Sequence, residues 1–240
     1  MVAPAAQDVF LEIGPGRGAL TLPLAARAAR VVGVELDRSL AERLRQRAPA
    51  NVEILSDDAL RAPLERLVPE GGRIVGNLPY YVSSPLLRRL LELHARVRDA
   101  HVMLQEEVAQ RIASPPGSKE YGILSVLYAV WADVDVAARF PPAAFEPPPK
   151  VRSALLRIRF RSEPRVHVTD LPGFERFVQT AFQRRRRTLE NNLGHSYPNL
   201  KEYFRFLPND EGSRRAETLS VVEFAALWRI AEEGRPGAKE

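Results

Sequence analysis

Leu11-Glu12-Ile13-Gly14-Pro15-Gly16-Arg17-Gly18 is the stretch that decides the fold of this chain. It follows an apolar run that predicts a first β-strand, Val9–Gly14, and it opens a helical pattern, Gly18–Ala29. Glycines at a strand-to-helix turn allow a ligand to approach the backbone, where a Cβ atom would collide. With Ala19, the stretch fits the G-x-G-x-x-A fingerprint of doubly wound nucleotide-binding folds. The stretch therefore predicts an α/β domain with a ligand at this turn.

The same alternation of apolar and amphipathic segments continues through the first two-thirds of the chain. It is typical of βα units around a mostly parallel sheet. We predict further strands at Val31–Leu36, Val52–Ser56, Arg73–Leu78 and His101–Leu104, and near Val134–Val136 and Ser153–Phe160. We predict further helices at Ser39–Arg47, Ser84–His94, Glu106–Ala113 and Tyr121–Trp131.

The composition changes after Arg161. Helical periodicity runs from Leu171 to Glu233, with interruptions at Gly194, Pro198 and Pro208. The last residues, Gly234–Glu240, are predicted to be frayed. We therefore predict two domains, an α/β domain over residues 1–161 and a small all-helical domain over residues 162–240.

Composition limits the chemistry and the partners. The chain has 240 residues, a net charge of +5 and no cysteine, so disulfides, thiolate metal sites and cysteine nucleophiles are excluded. Nearly all of the positive charge is arginine, which suits phosphate oxygens and guanine edges, although it also follows from GC-rich codon usage. The first residues resemble no signal peptide and no apolar run reaches the length of a membrane span, so we expect a cytoplasmic protein without a membrane partner.

Polar residues follow the next predicted strands in order. Glu35 ends the second strand about 20 residues beyond the glycines, where a carboxylate binds ribose hydroxyls. Asp58 follows the third strand, where it can accept from an adenine amino group. NAD and S-adenosyl-L-methionine both fit these positions, and helix capping by Glu35 and Asp58 is the plainer alternative.

Asn77-Leu78-Pro79-Tyr80, after the fourth strand, favours S-adenosyl-L-methionine. An adenine N6 amine is a poor nucleophile because its lone pair is delocalised into the ring. The Asn77 side-chain oxygen and the Leu78 carbonyl can accept from its two hydrogens, with Pro79 fixing the direction of that carbonyl. Tyr80 offers a face for an unstacked base. Alone, this tetrapeptide is better interpreted as a strand-to-helix turn with a buried Tyr.

Taken together, these residues resemble the KsgA (RsmA) family of ribosomal RNA adenine dimethyltransferases, over essentially the whole chain. The most specific matches are 12–16, 76–80, Met103-Leu104-Gln105-Glu106-Glu107-Val108, Phe145-Glu146-Pro147-Pro148-Pro149-Lys150-Val151 and Gln183-Arg184-Arg185-Arg186-Arg187-Thr188-Leu189. The resemblance implies a Rossmann-like class I methyltransferase domain with a small all-helical C-terminal domain. It also implies dimethylation of N6 of two adjacent adenines in the 3′-terminal hairpin of 16S rRNA, late in ribosome assembly.

The resemblance also implies the roles of individual residues. Amine holding and base contact are expected of Asn77, Leu78, Pro79, Tyr80 and Phe145. Cofactor contacts are expected of Glu12, Gly14, Gly16, Glu35, Asp58, Ala59 and Asn77. Position 81 is Tyr, where other members can carry Asn, and we give it no mechanistic role.

An RNA-binding surface is predicted from two basic segments. Phe145 stands in a proline-stiffened loop that ends at Lys150, where it can stack on a base, or it is an anchor in a plain linker. Arg184, Arg185, Arg186 and Arg187 lie in a helical pattern, in which positions about 100° apart cannot all share one face. We expect contacts with the rRNA backbone from these arginines and from Lys150. Arg88, Arg89, Arg157, Arg159 and Arg161 extend the predicted surface.

The expected partner is 16S rRNA within an immature small ribosomal subunit, and the chain is expected to be monomeric. Family members begin with a segment that contains a Gly-Gln-Asn-Phe-Leu-like motif and closes over the cofactor. No such segment precedes Val9 here, so impaired cofactor binding and activity are expected of this chain. The alternatives are a non-catalytic small-subunit assembly factor, an adenine methyltransferase of large-subunit rRNA and, more distantly, an NAD oxidoreductase.

Overall fold

The computed structural model of the chain describes residues 2–206 and 211–233. The chain folds into two compact units, each of which is formed by two separate stretches of sequence. Unit 1 contains the residues up to 110 together with 132–162, and unit 2 contains 111–131 together with the residues from 163 onward.

Unit 1 is built on a seven-stranded sheet with the order β3-β2-β1-β4-β5-β7-β6. The strands are β1 (Val9–Ile13), β2 (Arg30–Glu35), β3 (Val52–Ser56), β4 (Gly72–Asn77), β5 (Val97–Gln105), β6 (Ala132–Phe140) and β7 (Ser153–Phe160). Strands β1 to β5 are parallel, and β7 is antiparallel to both of its neighbours. The strand order reverses between β1 and β4, and such a switch point opens a ligand cleft at the carboxyl ends of the strands. The predicted Rossmann-like α/β fold is confirmed.

Five helices connect these strands: α1 (Thr21–Ala25), α2 (Arg38–Arg45), α3 (Leu64–Leu67), α4 (Ser83–Leu91) and α5 (Glu106–Ala113), the last of which crosses from unit 1 into unit 2. Helix α1 is shorter than the predicted Gly18–Ala29. It begins late because Gly18 has a φ of +82°, outside the helical region. It ends early because the Asn51 side chain donates to the carbonyls of Ala25 and Ala28.

Strands β5 and β6 are longer than predicted because their polar residues are neutralised across the sheet. Arg73 on β4 lies opposite Asp99 on β5, and their side chains form a hydrogen bond of 2.8 Å. Asp135 on the edge strand β6 accepts from Arg157 and Arg159 of β7. Polar residues of opposite charge can thus continue a strand whose apolar signal has already ended.

Unit 2 is helical: α6 (Ile123–Trp131), α7 (Leu171–Phe182), α8 (Leu189–Leu193), α9 (Pro198–Phe206) and α10 (Val221–Glu233). Its centre is aromatic, with the Phe177 ring 5.1 Å from that of Tyr197 and 5.5 Å from that of Trp228. Helix α6, which the sequence places in the first domain, instead contacts α7 and α10. Its apolar residues are buried on more than one side, as expected for a helix enclosed by others.

The predicted interruptions at Gly194 and Pro198 have opposite roles in unit 2. Gly194 ends α8, as predicted, whereas Pro198 begins α9. The predictions for Pro208 and for Gly234–Glu240 lie outside the described residues.

Within residues 2–206 and 211–233, no helix combines the length and the apolar character needed to cross a bilayer.

Candidate active site and basic surfaces

The end of β4 carries the tetrapeptide that the sequence singles out. Leu78 is 1% exposed, and its backbone N–H donates to the carbonyl of Met103 at 2.9 Å, which extends the pairing with β5 by one residue. Its side chain is therefore an anchor in the core. Asn77 is exposed, and its side chain has no hydrogen-bond partner within the described part of the chain. Its amide is consequently available to a ligand.

Gly76 sets the spacing between this strand end and the glycine turn. A Cβ atom at Gly76 would lie 2.7 Å from the carbonyl oxygen of Ile13 on β1. Only glycine therefore lets β4 approach β1 this closely. The turn after β1 reaches the same edge, where Gly14 has a φ of +69° and faces the carbonyl of Asn77.

The tetrapeptide and the Phe145 loop line one cavity of about 330 Å³. The lining residues are Asn77, Leu78, Pro79 and Tyr80 on one side and Phe145, Glu146, Pro147 and Pro149 on the other. The Phe145 ring also packs edge-on against Phe140, with 6.3 Å between ring centroids. Two segments 65 residues apart in the sequence thus present a tyrosine and a phenylalanine to the same space. We call it the amine cavity.

Hydrogen bonds hold both sides of the amine cavity in place. The Tyr80 hydroxyl and the Ser153 hydroxyl, which is buried at the start of β7, form a hydrogen bond of 2.6 Å. Glu106 accepts from Arg139, near the end of β6, and from Arg152, just before β7. Because these two arginines flank the Phe145 loop, the Glu106 carboxylate closes the base of the loop.

A second cavity, of about 240 Å³, lies at the ends of β1, β2 and β3. Gly14, Glu35, Asp58 and Ala59 line it, together with Ile13, Val34, Leu36, Asp57, Leu60, Pro79, Tyr81, Val82 and Leu86. Pro79 lines this cavity and the amine cavity, so the two are neighbours that share one residue. We call the second one the glycine-turn cavity.

Three carboxylates line the glycine-turn cavity, and the two that were predicted as cofactor contacts, Glu35 and Asp58, accept hydrogen bonds from backbone amides. Glu35 accepts from the N–H of Gly16 at 2.8 Å and from that of Asp37 at 3.0 Å. Asp37, rather than Glu35, caps helix α2. One Asp58 oxygen accepts from the N–H of Leu60 at 2.9 Å, which closes a local turn. Each carboxylate oxygen has a second lone pair, so both residues can still accept from a ligand.

Three of the predicted cofactor contacts do not line the glycine-turn cavity, and one of these, Asn77, lines the amine cavity instead. Glu12 is 2% exposed and lines neither cavity; its carboxyl group accepts from the Thr21 hydroxyl at 2.7 Å. Burial raises the pKa of Glu12 to about 7, and the charge of Glu35 adds to the rise, while the Thr21 hydrogen bond opposes it. Gly16 borders a different, basic concavity.

The run from Arg184 to Arg187 is in a turn between α7 and α8, so the predicted helix is wrong at these four positions. The Asn192 side chain ends α7 by donating to the carbonyls of Ala181 and Arg184, and Thr188 caps α8. All four arginines are exposed, and the Arg185 guanidinium donates to the carbonyls of Lys119 and Tyr121. A turn, unlike a helix, lets neighbouring side chains point to one side.

The other basic residues predicted to bind RNA differ in whether they form ion pairs with carboxylates. Lys150 is exposed and borders a concavity of about 560 Å³ that it shares with Glu106 and Glu107. The predicted extension of the basic surface is weakened by ion pairs. Arg157 and Arg159 pair with Asp135, Arg161 with Asp133, and Arg89 with Glu65 and Glu92.

Sequence reasoning missed the apolar rim of the glycine-turn cavity. Leu36 is 62% exposed and Tyr81 is 81% exposed, and Leu60 is also among the exposed large apolar side chains. Large apolar side chains that are exposed and clustered are unusual on a protein surface, and such patches mark binding surfaces. The available signal was a leucine directly after Glu35 and a second tyrosine after Tyr80. Ser153 carried no signal, because only the fold brings it to Tyr80.

Comparison with known proteins gives consistent similarities. Residues 2–227 match the family described as Ribosomal RNA adenine dimethylase. A relative from Xylella fastidiosa named "Ribosomal RNA small subunit methyltransferase A" is 41% identical over 232 residues, which cover 94% of this chain and 86% of the relative.

Two solved structures are also similar. The structure of a dimethyladenosine transferase from Plasmodium falciparum is 24% identical, with a TM-score of 0.75 over 92% of this chain and 88% of that one. The structure of the 23S rRNA methyltransferase ErmE is 25% identical, with a TM-score of 0.70 over 96% of this chain and 93% of that one.

Proposed function

Because the chain belongs to the ribosomal RNA adenine dimethylase family, we propose that it dimethylates N6 of two adjacent adenines in the 3′-terminal hairpin of 16S rRNA. Members of this family are methyltransferases, and their methyl donor is S-adenosylmethionine. The observation that carries the proposal is the pair of neighbouring cavities that share Pro79. One suits a donor with a ribose and an adenine, and the other suits an adenine amine.

The glycine-turn cavity fits the donor. Glu35 lies at the carboxyl end of β2, where ribose hydroxyls can donate to its free lone pairs. The second oxygen of Asp58 lies 3.9 Å from the exposed Arg61 guanidinium and makes no hydrogen bond within the described residues, so it can accept from an adenine amino group. Leu36, Leu60 and Tyr81 supply apolar surface for a flat ring. The sulfonium of the donor carries its own leaving group, so the protein needs chiefly to position the two reactants.

The amine cavity fits the acceptor. Asn77 presents an amide oxygen that has no partner among the described residues, and the buried Leu78 side chain fixes the backbone from which the second acceptor, its carbonyl, projects. Two acceptors on the amine hydrogens favour a pyramidal nitrogen with a free lone pair. The target adenine must leave its stack to reach this point, and Tyr80 and Phe145 provide faces on which it can lie. The methylated amine is acidic enough to release its proton to water.

The substrate in this proposal is an immature small subunit in the cytoplasm, bound late in assembly by one copy of the chain. The exposed arginines 184–187 and Lys150 are proposed to contact the rRNA backbone. Their exposure supports this role, and the Arg185 guanidinium is exposed while it also donates to the carbonyls of Lys119 and Tyr121. The relative from Xylella fastidiosa is named for the small subunit.

Replacing Asn77 tests the proposal. We expect Asn77→Ala to abolish methyl transfer to undermethylated small subunits, because it removes one of the two acceptors, while the affinity for subunits stays unchanged. Transfer of labelled methyl groups and filter binding would measure the two properties. Asn191→Ala is the matched control, since the exposed Asn191 side chain bonds only to Thr188 among the described residues. Full activity of Asn77→Ala would remove the amine-holding argument.

The likeness to ErmE makes large-subunit rRNA the second candidate substrate. Mass mapping of methylated adenines after incubation with small and with large subunits separates the two. Methylation confined to 23S rRNA would replace the first proposal. Tight binding of small subunits without detectable binding of S-adenosylmethionine in calorimetry would instead favour a non-catalytic assembly factor.

A further inference from the structure

We propose that Arg17, Arg43 and Arg47 form a phosphate-binding site for the rRNA backbone, apart from both cavities of the candidate active site. The three side chains border a concavity of about 310 Å³, which Gly16 and Leu40 complete. All three arginines are exposed. The identity of the RNA rests on the proposed function, whereas the anion-binding chemistry rests on the concavity itself. We call it the arginine concavity.

The sequence builds this concavity by bringing helix α2 against the glycine turn. A Cβ atom at Gly18 would lie 2.6 Å from the Leu44 side chain, and the φ of +82° is also one that other residues rarely adopt. Glycine at this position therefore lets α2 pack closely. The Arg47 guanidinium then donates to the carbonyl of Arg17, which ties the end of α2 to the turn.

Within the part of the chain that the structure describes, no carboxylate balances the charges of the arginine concavity. None of its three arginines has a carboxylate within ion-pairing distance among the described residues. By contrast, other arginines of unit 1 are paired, such as Arg30 with Glu53, Arg73 with Asp8 and Asp99, and Arg152 with Glu106. Like charges around one concavity repel each other, so a bound anion lowers the free energy of the folded chain.

Phosphate is the anion that this arrangement suits. A guanidinium offers a planar fork of donors that matches two phosphate oxygens. The arginines are exposed and no buried polar side chain lines the concavity, so a single small anion would remain largely hydrated. A nucleic-acid backbone presents several phosphates at once and releases counterions on binding, which favours it over free phosphate.

A purely structural role is the competing explanation. Arginines in the last turn of a helix stabilise it by interacting with the helix dipole, and Arg43 is in the last turn of α2. This explanation does not account for Arg17, which lies in the glycine turn. It predicts a loss of thermal stability without a change in RNA binding, so the two roles are separable.

The experiment compares wild type with Arg43→Gln/Arg47→Gln, using undermethylated small subunits as the probe over a range of salt concentrations. We expect weaker binding and a slope of log K against log salt that is shallower by about one per arginine. Arg27→Gln/Arg66→Gln is the matched control, because it removes the same charge from exposed positions outside the concavity. Binding of S-adenosylmethionine is measured alongside and should not change.

Several outcomes decide the proposal. Unchanged slopes overturn it, as does a slope that falls equally in the control pair. A lower melting temperature with unchanged subunit binding also overturns it and assigns the arginines to the end of α2. Inorganic phosphate is a separate probe: if the variant loses phosphate binding but binds subunits like wild type, the site serves a free anion and not RNA.

The same experiment separates this site from the proposed function. Wild type that binds subunits with the steeper slope but methylates no 16S adenine upholds the arginine concavity and contradicts the proposed reaction. A variant that binds subunits like wild type and methylates 16S rRNA normally contradicts the arginine concavity and upholds the proposed reaction.

Discussion

At the scale of single residues, Glu12 is the group whose acidity departs most from what its position in the sequence suggests. It is enclosed beneath the glycine turn, and burial followed by repulsion from Glu35 raises the pKa of its carboxyl group to about 7 despite the hydrogen bond from Thr21. The proton that it holds is therefore part of the folded state at mildly acidic pH.

The raised pKa predicts a pH dependence with a definite sign. Between the ordinary value of 4.5 and about 7, the folded chain holds a proton that the unfolded chain releases. The stabilisation is fully present below 4.5 and is lost as the pH rises through about 7, which for this shift amounts to about 3 kcal/mol.

Glu12→Gln tests this prediction because glutamine stays neutral. The free energy of unfolding, from urea titrations at several pH values between 4.5 and 8, should rise in the variant relative to wild type by about 3 kcal/mol across the window. Glu42→Gln, at an exposed position, serves as the control. Parallel curves for Glu12→Gln and wild type would show that Glu12 ionises normally.

At the scale of elements, the start of β7 is linked to the end of β4. The hydrogen bond between Ser153 and Tyr80 fixes the tyrosine ring from a strand that lies two positions away in the sheet. The ends of the Phe145 loop meet at the same place through Glu106. Both faces proposed for the target base thus depend on this one corner of the sheet.

Loss of the Ser153 hydroxyl should therefore slow methyl transfer. A hydrogen bond of this type contributes about 1 kcal/mol, so we expect Ser153→Ala to lower kcat roughly fivefold with unchanged affinity for S-adenosylmethionine. Tyr80→Phe removes the same bond from the other side. The double variant should be no slower than either single one in a double-mutant cycle. Additive losses would mean that the bond does not position the ring.

At the scale of the whole molecule, each unit has its own core. Both tryptophans, Trp131 and Trp228, belong to unit 2, and Trp228 lies in its core, so intrinsic tryptophan fluorescence reports on the folding of that unit. Every residue that lines the amine cavity or the glycine-turn cavity belongs to unit 1. Stability of the helical unit and donor binding can accordingly be measured independently.

Phe177→Ala should destabilise unit 2 selectively. The ring is fully buried against Tyr197 and Trp228, and truncation of such a residue costs about 3–5 kcal/mol. Urea unfolding followed by tryptophan fluorescence would show this loss, whereas binding of S-adenosylmethionine should persist where unit 2 has unfolded. Val222→Ala, at an exposed position of α10, should change stability by less than about 0.5 kcal/mol. Simultaneous loss of binding in Phe177→Ala would show that the units depend on each other.

Much of this organisation follows from the sequence by itself. Apolar periodicity and the glycine turn predict the parallel sheet, and the order of Gly14, Glu35, Asp58 and Asn77 predicts a ligand at its carboxyl edge. These signals are local, since periodicity and backbone freedom depend on residues that are close in the chain. For the same reason they lead to the correct family and fold.

Other features were decided only by the tertiary structure. Arg184–Arg187 lie in a turn because Asn192 and Thr188 end one helix and begin the next. Arg157 and Arg159 are neutralised by a carboxylate on a neighbouring strand, whereas no carboxylate of the described residues pairs with Arg17 or Arg47 where they meet. Whether a charge is free, and which cavity a side chain borders, depends on partners distant in sequence, and only the folded chain brings those partners together.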